Sequence, residues 1–302
     1  MALSLLLAVL AACSNALGTV LQRRAALTVP ASTSLRLGLL ADLLRTPVWL
    51  AGIVGVTLSA VLQALALASG SLAAVQPVFV LELPLALVIG GVVFRVRRSR
   101  TSWAAVAFTA GGLAVFLFSL APSGGHERVP ILWWVPALVV TGALGAALVL
   151  TALRRPFGRA RAACLAAAAA LGNALAAGLM KSAMGVLDDQ GAVAFLLSWQ
   201  TYGFAVIGAT SLFLLGAAMQ AGPLIASQPA LTLTDAVVGV VLGVTLYAEQ
   251  PRTGVWILPA LLGFGLLTYG VFMLSRTRCL AECLNAEEQV PERSAQAAAV
   301  RI

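Results

Sequence analysis

Gly70-Ser71-Leu72-Ala73-Ala74-Val75-Gln76-Pro77 and, 152 residues later, Gly222-Pro223-Leu224-Ile225-Ala226-Ser227-Gln228-Pro229 are two versions of one pattern. The glycine, the leucine and the Gln-Pro pair coincide, and at the same spacing Gly91 falls on Gly243. A second match sets Asn15-Ala16-Leu17 on Asn173-Ala174-Leu175, with Leu21 and Arg23 on Leu179 and Lys181, at an offset of 158. Two matches in the same order at nearly the same offset indicate two related halves.

The material between the matches is almost entirely apolar. Of 302 residues, 61% are hydrophobic and 10% charged, with mean hydropathy +0.99, whereas an ordinary soluble domain carries about 25% charged residues. That composition excludes a soluble enzyme. Apolar runs long enough to cross a bilayer, about 20 residues each, fall at 3–22, 47–68, 72–94, 102–121, 131–153, 162–184, 194–216, 222–246 and 254–275. The expected fold is therefore all-α and integral to the membrane. Nine transmembrane helices form two four-helix repeats, residues 1–121 and 159–275, joined by a linker helix within 122–158. The single linker crossing inserts the second repeat upside down. Residues 276–302, with Glu287, Glu288 and Pro291, read as a disordered cytoplasmic tail. Residues 24–46, around Leu35 to Leu40, are too short and too charged to cross; an amphipathic helix along the surface is one reading, and the segment is taken as a loop. Leu10-Ala11-Ala12-Cys13 has the look of a lipoprotein signal end, but no Lys or Arg precedes it and the apolar run continues to Leu21, so it reads as a retained first helix.

The net charge of +8 and pI near 10.4 come from arginines grouped between spans, which argues against nucleic acid as a partner. Arg23, Arg24, Arg36 and Arg45, then Arg95, Arg97, Arg98 and Arg100, then Arg154, Arg155, Arg159 and Arg161 share one side; the other side holds Arg128, Arg252 and Lys181 beside Glu127, Asp188, Asp189 and Glu249. By the positive-inside rule the N-terminus is outside and the C-terminus cytoplasmic; the expected membrane is the plasma (inner) membrane. Trp49, Trp103, Trp133, Trp134, Trp199 and Trp256 all start spans and read as an interfacial belt, with Tyr202 and Gln200 beside Trp199. Cys13, Cys164, Cys279 and Cys283 have neither disulfide nor zinc spacing, and His126 has no metal-ligating neighbour.

Two acids lie deep in spans, Glu82 in the third and Asp235 in the eighth. An acid at mid-membrane costs about 2.5 to 3.5 kcal/mol, so such residues mark ion or substrate pathways. Asp235 is the stronger candidate, because Gln228 lies two turns before it on one helix face with Thr232 close by. Under the 152 offset Asp235 matches Leu83, which leaves Glu82 about 100° from the equivalent direction; bending at Pro77 and Pro84 is what would correct this. Gln76 and Gln228, Asn15 and Asn173 are the matched amides expected to line the site. Pro77 and Pro229 each remove a backbone donor and are expected to break their helices there. Gly239 and Gly243 form a GxxxG that indicates close helix packing, and Lys181 reads as an interfacial cation. No Walker A loop, nucleophile elbow or metalloprotease helix is present, so the protein is read as no enzyme and as needing no cofactor beyond a coupling ion, H⁺ or Mg²⁺.

The linked spans running from Ala66 to Pro77, and again from Met219 to Pro229, resemble the drug/metabolite transporter superfamily over most of residues 1–275. Nine spans, and a first half without the usual second helix between Arg24 and Thr46, are similar to its NIPA-like magnesium-transporter branch rather than to the ten-helix EamA type. The chain departs from the family at Val92-Val93-Phe94-Arg95-Val96-Arg97, where Gly-Glu-Arg is usual, and comes closer at Tyr247-Ala248-Glu249-Gln250. The resemblance implies a secondary transporter of a small solute or cation working by alternating access, and the two acids deep in its spans, mainly Asp235 with Glu82, are read as the coupling carboxylates. A NIPA-like Mg²⁺ transporter, with those two acids as metal ligands, is the alternative; a non-transporting membrane scaffold is the second. The expected partners are a small-molecule or cation substrate and the lipid bilayer, and a homodimer is left open.

Overall fold

Hydrocarbon offers no hydrogen-bond partners, so each crossing segment must satisfy its own backbone and does so as a helix. The computed structural model describes residues 2–26, 46–94, 99–126 and 129–276. The expectations for residues 27–45, for Arg95 to Arg98 and for the tail beyond Arg276 lie outside the described residues. Among those described, nine helical spans are long and apolar enough to cross a membrane, and the pairing of Ser123 with Gln250 is an isolated bridge rather than a strand.

The helices are α1 (Ala2–Ala26), α2 (Pro47–Ser69), α3 (Leu72–Val78), α4 (Glu82–Val93), α5 (Arg100–Leu120), α6 (Ile131–Leu153), α7 (Arg159–Leu197), α8 (Trp199–Ala221), α9 (Leu224–Thr245) and α10 (Ile257–Ser275). A 3₁₀ turn, Phe79–Leu81, joins α3 and α4 into one span, and another, Gly254–Trp256, leads into α10. The sequence reading ended the sixth span at 184 and began the seventh at 194. The structure instead continues α7 through the exposed Asp188 and Asp189 to Leu197, interrupted at Gly191, where φ is 81°. Nothing before Gly191 breaks a helix, and the next helix starts where Ser198 caps it by accepting from the Thr201 amide.

Loop contacts fix the ends of the bundle. The Gly158 amide donates to the Ala221 carbonyl at 2.8 Å, gathering the α6–α7 and α8–α9 connections at an arginine-rich end with Arg154, Arg155, Arg159 and Arg161. At the opposite end the His126 amide donates to Tyr247 O at 2.8 Å and the Arg252 amide to Leu120 O at 2.9 Å. Five tryptophans lie at least partly exposed near span ends, as a belt requires, but Trp134 does not. It is fully buried, with its ring edge-on to Trp199 at 5.7 Å and Tyr247 at 6.4 Å, because its neighbour Trp133 takes the outward face of α6.

Lipid is as apolar as leucine, so helices associate where small residues let them come close. The most extensive contacts join α1 to α2, α7 to α8, and α5 to α10, with α9 across α7 and α3; α6 packs chiefly on α7. Several contacts recur at matched positions of the two halves. A Cβ on Gly70 would collide with Ser4, and one on Gly222 would meet Ala162 at 3.2 Å; Ser4 and Ala162 are themselves 158 apart. The connectors have the same extended backbone, with Ser71 at φ −74°, ψ 141° and Pro223 at φ −68°, ψ 142°. Ser59 of α2 and Ser211 of α8, 152 apart, are both buried against the first helix of their half, Ser59 donating to Ala11 O at 2.8 Å and Ser211 lying against Gly172. Where α5 meets α10 the contact is reciprocal: Gly112 faces the backbone of Gly263 and Leu267, and Gly263 faces that of Gly112 and Phe116.

Gly112→Ala is therefore expected to destabilise the fold by about 1 to 3 kcal/mol through overpacking. Gly111→Ala, with open space around it, should be neutral or slightly stabilising. Thermal unfolding of the detergent-solubilised protein compares the two.

Candidate ion and substrate site

Asp235 lies eleven residues into α9, about 16 Å along a helix and so near the middle of a hydrocarbon core about 30 Å thick. It is buried and accepts hydrogen bonds from two side-chain amides on different helices. Asn173 Nδ2 of α7 donates to Oδ1 at 3.1 Å, and Gln76 Nε2 of α3 reaches both Oδ1 and Oδ2 at 3.2 Å. The amide of Asn15 on α1 lies against the carboxyl of Glu82, and Glu82 is close enough to Asp235 for their charges to interact. The two acids and three of the four expected amides thus form one site, with each matched asparagine beside the acid of its own half.

Glu82 reaches this position because of the 3₁₀ turn just before it. A 3₁₀ helix has 3.0 residues per turn and rises about 2.0 Å per residue, against 3.6 and 1.5 Å in an α-helix. Over Phe79–Leu81 the difference adds about 60° of rotation and about 1.5 Å of rise, the rise of one whole residue. The six residues from Gln76 to Glu82 therefore climb as far as the seven from Gln228 to Asp235, and the 100° misdirection shrinks to about 40°. Pro77 sits inside α3 immediately before this turn and is the matched proline next to a change of helix type. Pro229 occupies the same place in α9 but leaves it helical to Thr245, so the expectation of a second break is corrected. Both prolines fall at the sixth residue of their helices, past the first turn, so each removes one intrahelical hydrogen bond.

Gln228 is buried but makes no hydrogen bond to Asp235, and the Thr232 hydroxyl turns back to the Gln228 carbonyl at 3.0 Å. Two turns separate Gln228 from Asp235 by about 10.5 Å along the axis, beyond the reach of either side chain. Their shared face suggested a contact that a crossing helix supplies instead. Gln76 comes within reach because Gly239, one turn past Asp235, has no side chain: a Cβ there would collide with Gln76 Cβ and Cγ, and one on Gly243 would meet the Ala73 amide at 2.8 Å. The GxxxG is the bed on which α3 lies. Gln76 Oε1 is left buried and without a hydrogen-bond partner beside the carboxylate, an oxygen open to a cation or a proton donor.

A second polar cluster was not legible as one. Glu249, read as an acid of the loops opposite the arginines, is buried; its Oε1 accepts from the Leu72 amide at 2.6 Å and from Lys181 Nζ at 2.7 Å, and its Oε2 from the Ala73 amide at 2.8 Å. Lys181, read as an interfacial cation, is 11% exposed and also donates to Gly70 O at 2.8 Å. Ala248, at φ 52°, turns the chain after α9 so that Glu249 points back into the bundle. The acid beyond an apolar run and the lysine near another were visible in sequence; only folding brings them together. The Tyr247 hydroxyl donates to Gly178 O at 2.6 Å, with Lys181 Nζ 4.8 Å above its ring. Burial, then the charge of Glu249, push this phenol above its usual range, so it remains a donor in alkaline solution. Tyr202, 60% exposed, stays in the belt, and His126 is an exposed loop residue. Among the described residues no group of three His, Cys, Asp or Glu side chains is placed to hold a metal ion.

Tyr247→Phe removes one buried hydrogen bond and should cost about 1 kcal/mol, read as a lower melting temperature with the helix content unchanged.

No family model and no solved structure matches the chain. A protein of Corynebacterium glutamicum described as uncharacterized is 32% identical over 260 residues, which cover 83% of this chain and 88% of that protein. At that identity and coverage, the chain belongs to the same family as the Corynebacterium glutamicum protein.

Proposed function

We propose that this multi-pass membrane protein is a secondary transporter of the drug/metabolite type, moving a small solute or cation by alternating access. The observation that carries the reading is the pair of mid-membrane carboxylates. Asp235 is held by amides from both halves of the chain, and Glu82 is brought beside it by a local change of helix type. An acid at that depth is costly as a bare anion and tolerable once neutralised, so the pair takes up a proton or a cation and releases one to take the other. The architecture proposed is two inverted four-helix repeats. Supporting it are the matched Ser4–Gly70 and Ala162–Gly222 contacts and the reciprocal α5–α10 crossing. Those helices run in opposite directions, as a two-fold axis in the membrane plane requires, and inverted repeats place substrate sites between the copies near the midplane.

The arginine-rich end is proposed to be cytoplasmic, with the N-terminus outside, in the plasma membrane. A cysteine introduced at Ser99 is then expected to stay unlabelled by an impermeant reagent in intact cells; labelling there would reverse the orientation.

Mg²⁺ is the second reading, favoured by the unpartnered Gln76 Oε1 next to the two carboxylates, since Mg²⁺ uses one or two carboxylates and keeps waters. A thermal-stability panel of Mg²⁺, other divalent ions and organic cations separates the two, because a ligand stabilises the state it binds. Asp235→Asn keeps shape and hydrogen bonding but carries no charge. It is expected to abolish both the stabilisation by the panel's best cation and that cation's flux into proteoliposomes under a pH gradient, with the protein still folded. Glu82→Gln should do less harm, since Asp235 holds more of the amides. Near wild-type flux in Asp235→Asn would assign Asp235 a purely structural role.

A further inference from the structure

We infer that Lys181 and Glu249 form the outer gate of the pathway, an ionic latch that must part before Asp235 and Glu82 can be reached from the end opposite the arginines. The inference rests on the transporter reading and adds residues to its cycle. Four parts of the chain meet at the latch: α7 through Lys181, the α9–α10 connection through Glu249, the α2–α3 link through the Gly70 carbonyl, and the first amides of α3. Outside it lies an open cleft of about 350 Å³ that includes Ser69, Ser71, Ser123, His126 and the Lys181 side chain. Inside it Leu72, Tyr247 and Trp134 are buried and close the bundle.

The latch grips the same short helix that serves the carboxylate. Ala73, held by Glu249, precedes Gln76 by three residues, about 4.5 Å along the helix axis. α3 is seven residues long and is joined to α4 by the 3₁₀ turn, the point in this span where the helix type changes and where α3 would pivot. It is pinned at one end by Glu249 and at the other by the bond from Gln76 to Asp235. A cation or proton on Asp235 competes with that Gln76 bond, which ties the occupancy of the site to the hold on the gate. A permanent brace gains little from a buried ion pair, since apolar residues of similar size hold as well. An ion pair with an open cleft beside it can separate and be hydrated there, which lowers the cost of opening.

The test needs no substrate. In the full chain, with Cys13, Cys164, Cys279 and Cys283 changed to serine, a Ser182→Cys thiol reports the gate. Ser182 is buried next to Tyr247, one residue past Lys181. A Ser59→Cys thiol, buried between α1 and α2, reports general loosening. Intact cells are treated with an impermeant maleimide. Lys181→Met and Glu249→Gln are expected to speed labelling at position 182 at least tenfold and leave position 59 unchanged. Lys181→Arg, which keeps the cation, should keep position 182 slow. Unchanged labelling at 182, or an equal rise at 59, overturns the gate and makes the cluster a brace. Should the first two variants fail to accumulate, Glu249→Asp, too short to reach both α3 amides and Lys181, is read in the same way, and slow labelling there also overturns the gate. The transporter reading fails separately, on Asp235→Asn flux.

Discussion

A carboxylate in the middle of a hydrocarbon layer must be given its hydrogen bonds by the protein, and the centre of this structure is arranged around that need. Asp235 receives them from Asn173 and Gln76, on two different helices. For Gln76 to arrive, α3 must lie almost in contact with α9, and it can because Gly239 and Gly243 put no atoms in the way. The same closeness brings the start of α3 to Glu249, whose carboxylate takes the Leu72 and Ala73 amides that no residue within a helix's first turn can satisfy. One pair of glycines thus serves both polar clusters, one at mid-membrane and the other at the end opposite the arginines.

The halves are alike in their frame and unlike in their site. Matched glycines and serines pack the first two helices of each half and line the turn from the second into the third. The acids do not match in sequence, and the first half makes up the missing residue with three residues of tighter helix. The amide contacts remain unequal. In the second half Gly239 admits Gln76, whereas the corresponding place in the first half is held by Ala86 or Leu87, and Gln228 is left without a bond to an acid.

The sequence by itself determined the nine apolar spans, the matched segments of the two halves, the grouping of the arginines and the choice of Asp235, Glu82, Gln76, Gln228, Asn173 and Asn15 as candidate residues, though not that the two acids lie together. Each of these depends on composition, period or an unusual residue in an apolar run, which local physics fixes through the need to satisfy the backbone and the cost of a buried charge. Span ends were legible to a few residues, except where α7 runs on to Gly191 through charged residues that a helix tolerates in water.

The tertiary structure alone decided which groups meet. Gln76 rather than Gln228 holds Asp235, because side chains two turns apart on one helix are too distant while those on crossing helices are not. Lys181 and Glu249 pair although the sequence placed each in an interface or loop, because the turn at Ala248 and the glycine bed under α3 fold them inward. Trp134 left the belt for the same kind of reason, its ring finding Tyr247 and Trp199. Periodicity specifies the face a residue occupies on its own helix; the partner across that face depends on how closely two backbones can approach, and that is a property of the pair.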